Sequence, residues 1–254
     1  MSDKHHFHLN AAVNFLVGNL PLDDTDPNYL KVALKQLNLI ADEFEELEEG
    51  VRTLNIKEVR DGLGDVVVTV DGLYYRLGIR PLMPLQGNFD DGAELSYPLN
   101  NIRTALKELR ELFEPDNNMP YCWDITSQEW RDEVTDKIHV MMTACYLLAA
   151  RCQIDLQQDQ EAIYASNMSK FDTDKDVAYK GVLKYLALGV RTALFPNSIE
   201  DTTYLVIKSI EDQVGSDGKK YPAGKFLKSV LFQEPEFAPL APDARIIQIF
   251  ARSA

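Results

Sequence analysis

Long apolar runs are absent from this sequence. No stretch approaches the roughly 20 residues that a bilayer-spanning helix needs, so passage through a membrane is not expected. The opening stretch MSDKHHFHLN has no apolar core and no cleavage pattern, which argues against a secretory signal. Cysteine is scarce: Cys122, Cys145 and Cys152 are an odd set, which argues against a disulfide framework and reads as reduced thiols in a cytoplasm. Cys145 and Cys152 share one face of an expected helix, where small buried side chains are expected rather than a metal or redox pair. Basic residues are in deficit, with 26 Lys and Arg against 40 Asp and Glu, for a net charge of −14 at pH 7. Such a surface repels nucleic-acid phosphates and anionic headgroups, so neither partner is expected. A single nucleotide held through divalent ions is still allowed, because a bound cation reverses the local field. Low-complexity segments are missing as well.

What is present is apolar periodicity. Residues 9–17 (LNAAVNFLV) read as a short helix, with His5, His6 and His8 ahead of it in a frayed terminus rather than as metal ligands. Asp26-Pro27 reads as an N-cap with proline at the first helical position. Leu34, Leu37, Ile40, Phe44 and Leu47 then recur at steps of three and four, predicting an amphipathic helix that ends near Gly50. Residues 56–79 are ambiguous. The run Val66–Val70, the pair Asp71-Gly72 and the following Leu73-Tyr74-Tyr75 favour a β-hairpin locally. As a helix the segment carries Gly62, Gly64 and Gly72, each costing about 1 kcal/mol relative to alanine. Pro81, Pro84, Gly87 and Asp90-Asp91-Gly92 mark residues 80–97 as a linker. Ile102, Leu106, Leu109 and Leu112 predict the next helix, and residues 115–125 a loop. Thr126 with Glu129 forms a capping-box pattern ahead of a helix from about Ser127 to Cys152. Further helices are expected near 155–168 and 177–194, a strand over Thr203–Lys208, and turns at Ser216-Asp217-Gly218 and Pro222-Ala223-Gly224.

An internal repeat resolves the ambiguity. Glu43-x-x-Glu46 followed by Glu58-x-x-Asp61 is matched by Glu108-x-x-Glu111 followed by Glu133-x-x-Asp136. The stretches EVRDGLGDVVVTVDGLYYRLGI (58–79) and EVTDKIHVMMTACYLLAARCQI (133–154) superpose without a gap. Each acid of the first member precedes an apolar stripe residue: Phe44 and Leu47 in one copy, Leu109 and Leu112 in the other. The second copy has no hairpin reading, so the valine run of the first is expected to be a buried helix. Acids at i and i+3 project from one helix face. Two such pairs on facing antiparallel helices crowd four carboxylates, which repel unless cations lie between them. Hard oxygen ligands suit Mg²⁺ or Mn²⁺, and such ions clamp a polyphosphate and activate water. The plainer alternatives are a solvated acidic face and, for Glu58, a capping box with Asn55.

These residues resemble the mark of the all-α nucleoside triphosphate pyrophosphohydrolases, which include MazG proteins, dimeric-type dUTPases and the phosphoribosyl-ATP pyrophosphohydrolase-like proteins common in phages. Asp42-Glu43-x-x-Glu46 is similar to their E-E-x-x-E, with Asp in place of the first Glu. Glu58-Val-Arg-Asp61-Gly-Leu-Gly-Asp65 resembles their phage-type E-x-x-D-x-x-x-D, and Phe15-Leu-Val-Gly18-Asn-Leu-Pro21 their opening segment. Ala165-Ser-Asn167-Met-Ser-Lys170-Phe-Asp172 looks like the N-M-S-K-F-D segment that follows the bundle in phage members. The resemblance covers residues 10–172 and has departures. Two acidic units precede the N-M-S-K segment instead of one, Lys107 stands where an acid is expected, and Val140 replaces the counterpart of Asp65. Residues 173–254 share only Gly218-Lys and Gly224-Lys with a lysine-rich tail.

The resemblance implies a mainly α protein with a four-helix-bundle-like core of two repeated helical units and a small mixed α/β appendage. The first unit spans residues 1–95, the second 96–172 and the appendage 173–254. It implies that Glu43, Glu46, Glu58 and Asp61 hold Mg²⁺ (or Mn²⁺), with Glu46 also the base that orients water. Asn167 would contact the nucleoside and Lys170 the phosphates. The implied reaction converts a nucleoside triphosphate, dUTP or dCTP among the candidates, to the monophosphate and pyrophosphate in the cytoplasm of a bacterium or phage-infected cell. The role of Glu108, Glu111, Glu133 and Asp136 stays open, as does a homodimer. Trp123, Trp130 and Tyr164 are the aromatic candidates to face a base. The alternative is a catalytically degenerate helical protein that binds nucleotides or acts as a scaffold.

Overall fold

Apolar stripes at helical spacing produce helices here in every segment long enough to carry one. The computed structural model describes residues 4–82, 95–114, 124–242 and 244–253. Cys122, Trp123 and most of both linkers lie outside the described residues. In chain order the elements are α1 (Lys4–Leu16), α2 (Tyr29–Arg52), α3 (Ile56–Arg76), α4 (Ser96–Phe113), α5 (Gln128–Cys152), α6 (Leu156–Met168), α7 (Lys175–Ala187), β1 (Thr192–Ile199), β2 (Thr202–Ser209), β3 (Gln213–Val214), β4 (Lys220–Tyr221), β5 (Phe226–Leu227) and α8 (Arg245–Ser253). The chain is thus mainly helical with a small antiparallel sheet. It divides into two compact units. One comprises Met1–Ala11, Leu20–Glu161 and Phe237–Ala254; the other comprises Ala12–Asn19 and Ala162–Glu236. Among the described residues, no helix is long and apolar enough to cross a membrane.

In the first unit α2 and α3 form an antiparallel hairpin. Gly62 of α3 lies against the backbone of Leu47, Gly50 against Val59, Gln36 donates to the Thr69 carbonyl (2.8 Å), and the Tyr29 hydroxyl donates to that of Leu77 (3.2 Å). The valine run is helical, against its local preference. Val59, Leu63, Val66, Val67, Val70 and Leu73 are all at most 1% exposed. Burying such side chains contributes about 1.5–3 kcal/mol each, which outweighs three glycines at about 1 kcal/mol each. α4 and α5 form the second antiparallel hairpin, with Trp130 Nε1 donating to the Leu112 carbonyl (3.4 Å) at one end and Arg151 lying 5.4 Å over Tyr97 at the other. α2 packs along α4 and α3 along α5. Arg103 pairs with Glu48, and Arg110 donates to Asn38 (2.6 Å), so α2 and α4 run antiparallel. The thiols of Cys145 and Cys152 are buried, and burial pushes both pKa values up to about 12.

Helix starts differ from the sequence reading for local reasons. The chain is helical from Lys4, where a frayed segment was expected: His6 and Asn10 of α1 are buried, and Asn10 Nδ2 donates to Asp71 Oδ2 at 2.8 Å. The Asp26 carboxylate accepts from Asn28 N (2.7 Å), a turn that delays α2 to Tyr29. For α5 the cap is Ser127, whose side chain accepts from Trp130 N (3.1 Å); Thr126 is held instead by Asp124 (2.6 Å).

In the second unit, the Asp174 side chain caps α7 by accepting from Asp176 N and Val177 N. Gly189, at φ 75°, follows the end of this helix. Residues 192–194, read from sequence as helical, are the start of β1. They pair antiparallel with β2, Thr192 opposite Ser209 and Ile199 opposite Thr202. That register buries Val206 and Ile207 in the middle strand of the order β1-β2-β5. Apolar residues of this unit form two small clusters, around Phe171 and Val206 and around Tyr185 and Ile207.

Candidate functional site

Two glycines bring the acids of the first hairpin together. A Cβ on Gly50 would stand 2.9 Å from Val59 N, and one on Gly62 would stand 2.9 Å from Leu47 Cα. Only glycine at both places lets the α2 and α3 backbones approach this closely. The same crossing brings the last turns of α2 beside the first turn of α3. The Asn55 side chain fixes the start of α3 by accepting from Glu58 N (3.4 Å), so Glu58 sits in the first helical turn. An acid there faces unpaired backbone N–H groups and is favoured by the helix dipole. Asp42, Glu45, Glu46 and Glu49 recur at i, i+3, i+4 and i+7 along one side of α2. With Glu58 and Gly50 they line an open depression of about 640 Å³.

Of the four acids singled out in the sequence, Glu46 and Glu58 meet at this depression. Glu43 and Asp61 are half-buried, do not line it, and each has an interaction of its own. Glu45 and Glu49 were missed, although their spacing from Asp42 carries the signal. Glu49 is paired with Arg52 (Nε, 2.8 Å). Asp42, Glu45, Glu46 and Glu58 have no ionic partner among the described residues. Among those residues, no group of three His, Cys, Asp or Glu side chains is placed to hold a metal ion. The donors are hard oxygens, as Mg²⁺ prefers, and Mg²⁺ is often held by one or two carboxylates plus water and substrate phosphates rather than by a protein cage. The residues present fit an open site of that kind, not a closed one.

Arg60, between Glu58 and Asp61 in sequence, turns inward. Its Nε donates to Asp159 Oδ2 (2.8 Å), its Nη1 to the Ala238 carbonyl (2.7 Å), and the guanidinium lies 4.8 Å from the Phe237 ring centroid. This buried pair, 7% and 1% exposed, ties the acidic end of α3 to the first turn of α6. Nothing in the local sequence marks it.

The second acidic set is arranged differently. Lys137 Nζ stands 3.0 Å from Glu108 and 3.0 Å from Glu133, and Lys107 stands 3.7 Å from Glu111. Asp136 is exposed. Each set lies where its own hairpin turns.

Asn167 and Lys170 belong to the second unit, at the end of α6 and just beyond it. Lys170 Nζ donates to Asn167 Oδ1 (2.5 Å) and lies 6.0 and 5.8 Å from the rings of Phe226 and Phe232. The chain around them is fixed by its own unit: Ser166 donates to the Gln233 carbonyl (2.8 Å), and the Ser229 hydroxyl donates to Asp172 (2.5 Å). Burial raises the pKa of the Asp172 carboxyl. Of the aromatic candidates, Trp130 is excluded from meeting a base. It is fully buried between Tyr29 and Phe113, at 6.1 and 6.0 Å between ring centroids. Tyr164 is half-buried against the apolar cluster of the second unit.

No family model matches the chain, and no solved structure matches it. It is similar to an uncharacterised protein of Acanthamoeba polyphaga mimivirus, 25% identical over 231 residues that cover 85% of each chain.

Proposed function

We propose that this chain is a Mg²⁺-dependent nucleoside triphosphate pyrophosphohydrolase, built on a four-helix-bundle-like core of two repeated hairpins, with its site on α2 and α3. The observation that carries the reading is the depression lined by Asp42, Glu45, Glu46, Glu49 and Glu58, four of whose carboxylates have no cationic side chain beside them among the described residues. Exposed acids crowded in this way repel one another and any phosphate, so binding a triphosphate there requires divalent cations. When bound, such a cation neutralises the phosphates and polarises the anhydride. Glu46 and Glu58, reaching the depression from two helices, are the residues proposed to hold it, with Glu43 and Asp61 at its flank. Glu46 is also proposed to orient the attacking water and accept its proton. Asn167 and Lys170 are proposed to contact nucleoside and phosphate, a role supported by the resemblance of their segment.

The experiment is a panel of ribo- and deoxynucleoside triphosphates, each incubated with the full chain and Mg²⁺ and assayed for pyrophosphate. Turnover of one or more is expected. A folded protein that turns over none of them overturns the reading. Asp42 in place of the first Glu of the acidic motif, and the lysine-paired second acidic set, favour a second reading, nucleotide binding without hydrolysis. Calorimetry with a non-hydrolysable triphosphate separates the two, because that reading requires binding in a protein without turnover.

A further inference from the structure

The acids of the two hairpins are repeated, but their counter-charges are not. When residues 58–79 are laid on 133–154, Lys137 falls on Gly62, and Glu133 falls on Glu58; Glu108 holds in α4 the place of Glu43 in α2. Gly62 leaves no room for a side chain, since even a Cβ would meet the Leu47 backbone at 2.9 Å. At Lys137 the second hairpin admits a four-carbon stem and places its ammonium 3.0 Å from a carboxylate on each helix. Hydrogen bonds to Glu108 and Glu133 raise the lysine pKa, so the charge persists at neutral pH. An ammonium between two carboxylates answers the same electrostatic demand as a divalent ion between them, and it is part of the chain.

We propose that Lys137 is the resident cation of the second hairpin: it bridges Glu108 and Glu133, makes this acidic set a clasp between α4 and α5, and leaves it no site for a divalent ion. The clasp stands whichever chemistry the first hairpin performs. The test is a titration of the full chain with Mn²⁺ alone, followed by electron paramagnetic resonance, for the wild type, Glu108→Gln and Glu133→Gln. A double-mutant melting cycle pairs Lys137→Met with Glu133→Gln. The number of Mn²⁺ ions bound is expected to be the same in all three proteins. Each single variant is expected to melt about 1–3 °C below wild type, and the double variant no lower than the worse single. Loss of one bound Mn²⁺ in either Gln variant overturns the proposal, as does additivity in the cycle or a Lys137→Met protein that melts with wild type. A wild type that binds no Mn²⁺ counts instead against the first-hairpin site, and the cycle alone then decides the clasp.

Discussion

The α2–α3 and α4–α5 hairpins share a sequence pattern and an antiparallel geometry, yet they handle crowded acids in opposite ways. In α2–α3, glycines at 50 and 62 draw the backbones together and no lysine is interposed. In α4–α5, Lys137 stands between the helices and binds both acids. The hairpins differ in the core as well. Asp71 of α3, 4% exposed, has its counterpart by the same superposition in Tyr146 of α5. Desolvation pushes the Asp71 pKa up to about 7, partly opposed by the hydrogen bond from Asn10. A repeat thus preserves helix phase and packing, while single residues decide whether its charges are left open to ligands or closed by the chain. The charge distribution has the same lesson at larger scale. Ten acids and ten bases fall in the second unit, so the whole net charge of −14 belongs to the first.

The largest effect expected from breaking this asymmetry is on turnover. Glu46→Gln is expected to lower pyrophosphate release by about a hundredfold or more, whereas Glu111→Gln, its counterpart in the second hairpin, leaves it unchanged; equal losses would erase the distinction between the hairpins. Next comes the buried acid. Because the folded pKa of Asp71 is raised above its ordinary value of 3.8, its protonated form favours folding. The resulting penalty is absent below about pH 4, grows as pH rises toward 7 and is constant above it. Asp71→Asn keeps an acceptor for Asn10 and should stabilise the protein at pH 8 by up to about 4 kcal/mol, with no gain at pH 4. Melting curves at the two pH values check the sign.

Gly62→Ala places a methyl group against the Leu47 backbone. Overpacking of this kind costs about 1–3 kcal/mol, more than the helix propensity that alanine recovers, so a lower denaturation midpoint and weaker turnover are expected together. The smallest effect sharpens what the hairpins share. Asn55→Ala and Ser127→Ala remove the same N-cap device from α3 and α5, and each should cost about 1 kcal/mol in denaturant unfolding. A cost at one helix only would show that the two starts are not equivalent.

Most helices were legible because burying one face requires apolar residues at steps of three and four, and those steps are visible in any chain. The valine run 66–70 was legible only through the repeat, since its local preference is for strand. The capping bond from Asn55 was readable from the pattern Asn55-x-x-Glu58, whereas the start of α2 was not, because Asp26 satisfies Asn28 N in a turn rather than capping the helix. Residues 192–194 were misread because strand pairing with Ile207, Lys208 and Ser209 is a long-range contact with no local signature. In the candidate site, the sequence picked out Glu46 and Glu58 but not Glu45, Glu49 or the inward turn of Arg60 onto Asp159.

By itself the sequence determined where helices run, which of their faces are apolar and that acids repeat in phase, because all of these follow from spacing along one chain. Only the tertiary structure decided which acids share a surface and which are closed by a lysine. Whether a carboxylate is open to a ligand depends on what the neighbouring helix places within about 3–4 Å of it, and that neighbour is chosen by packing, not by adjacency in sequence.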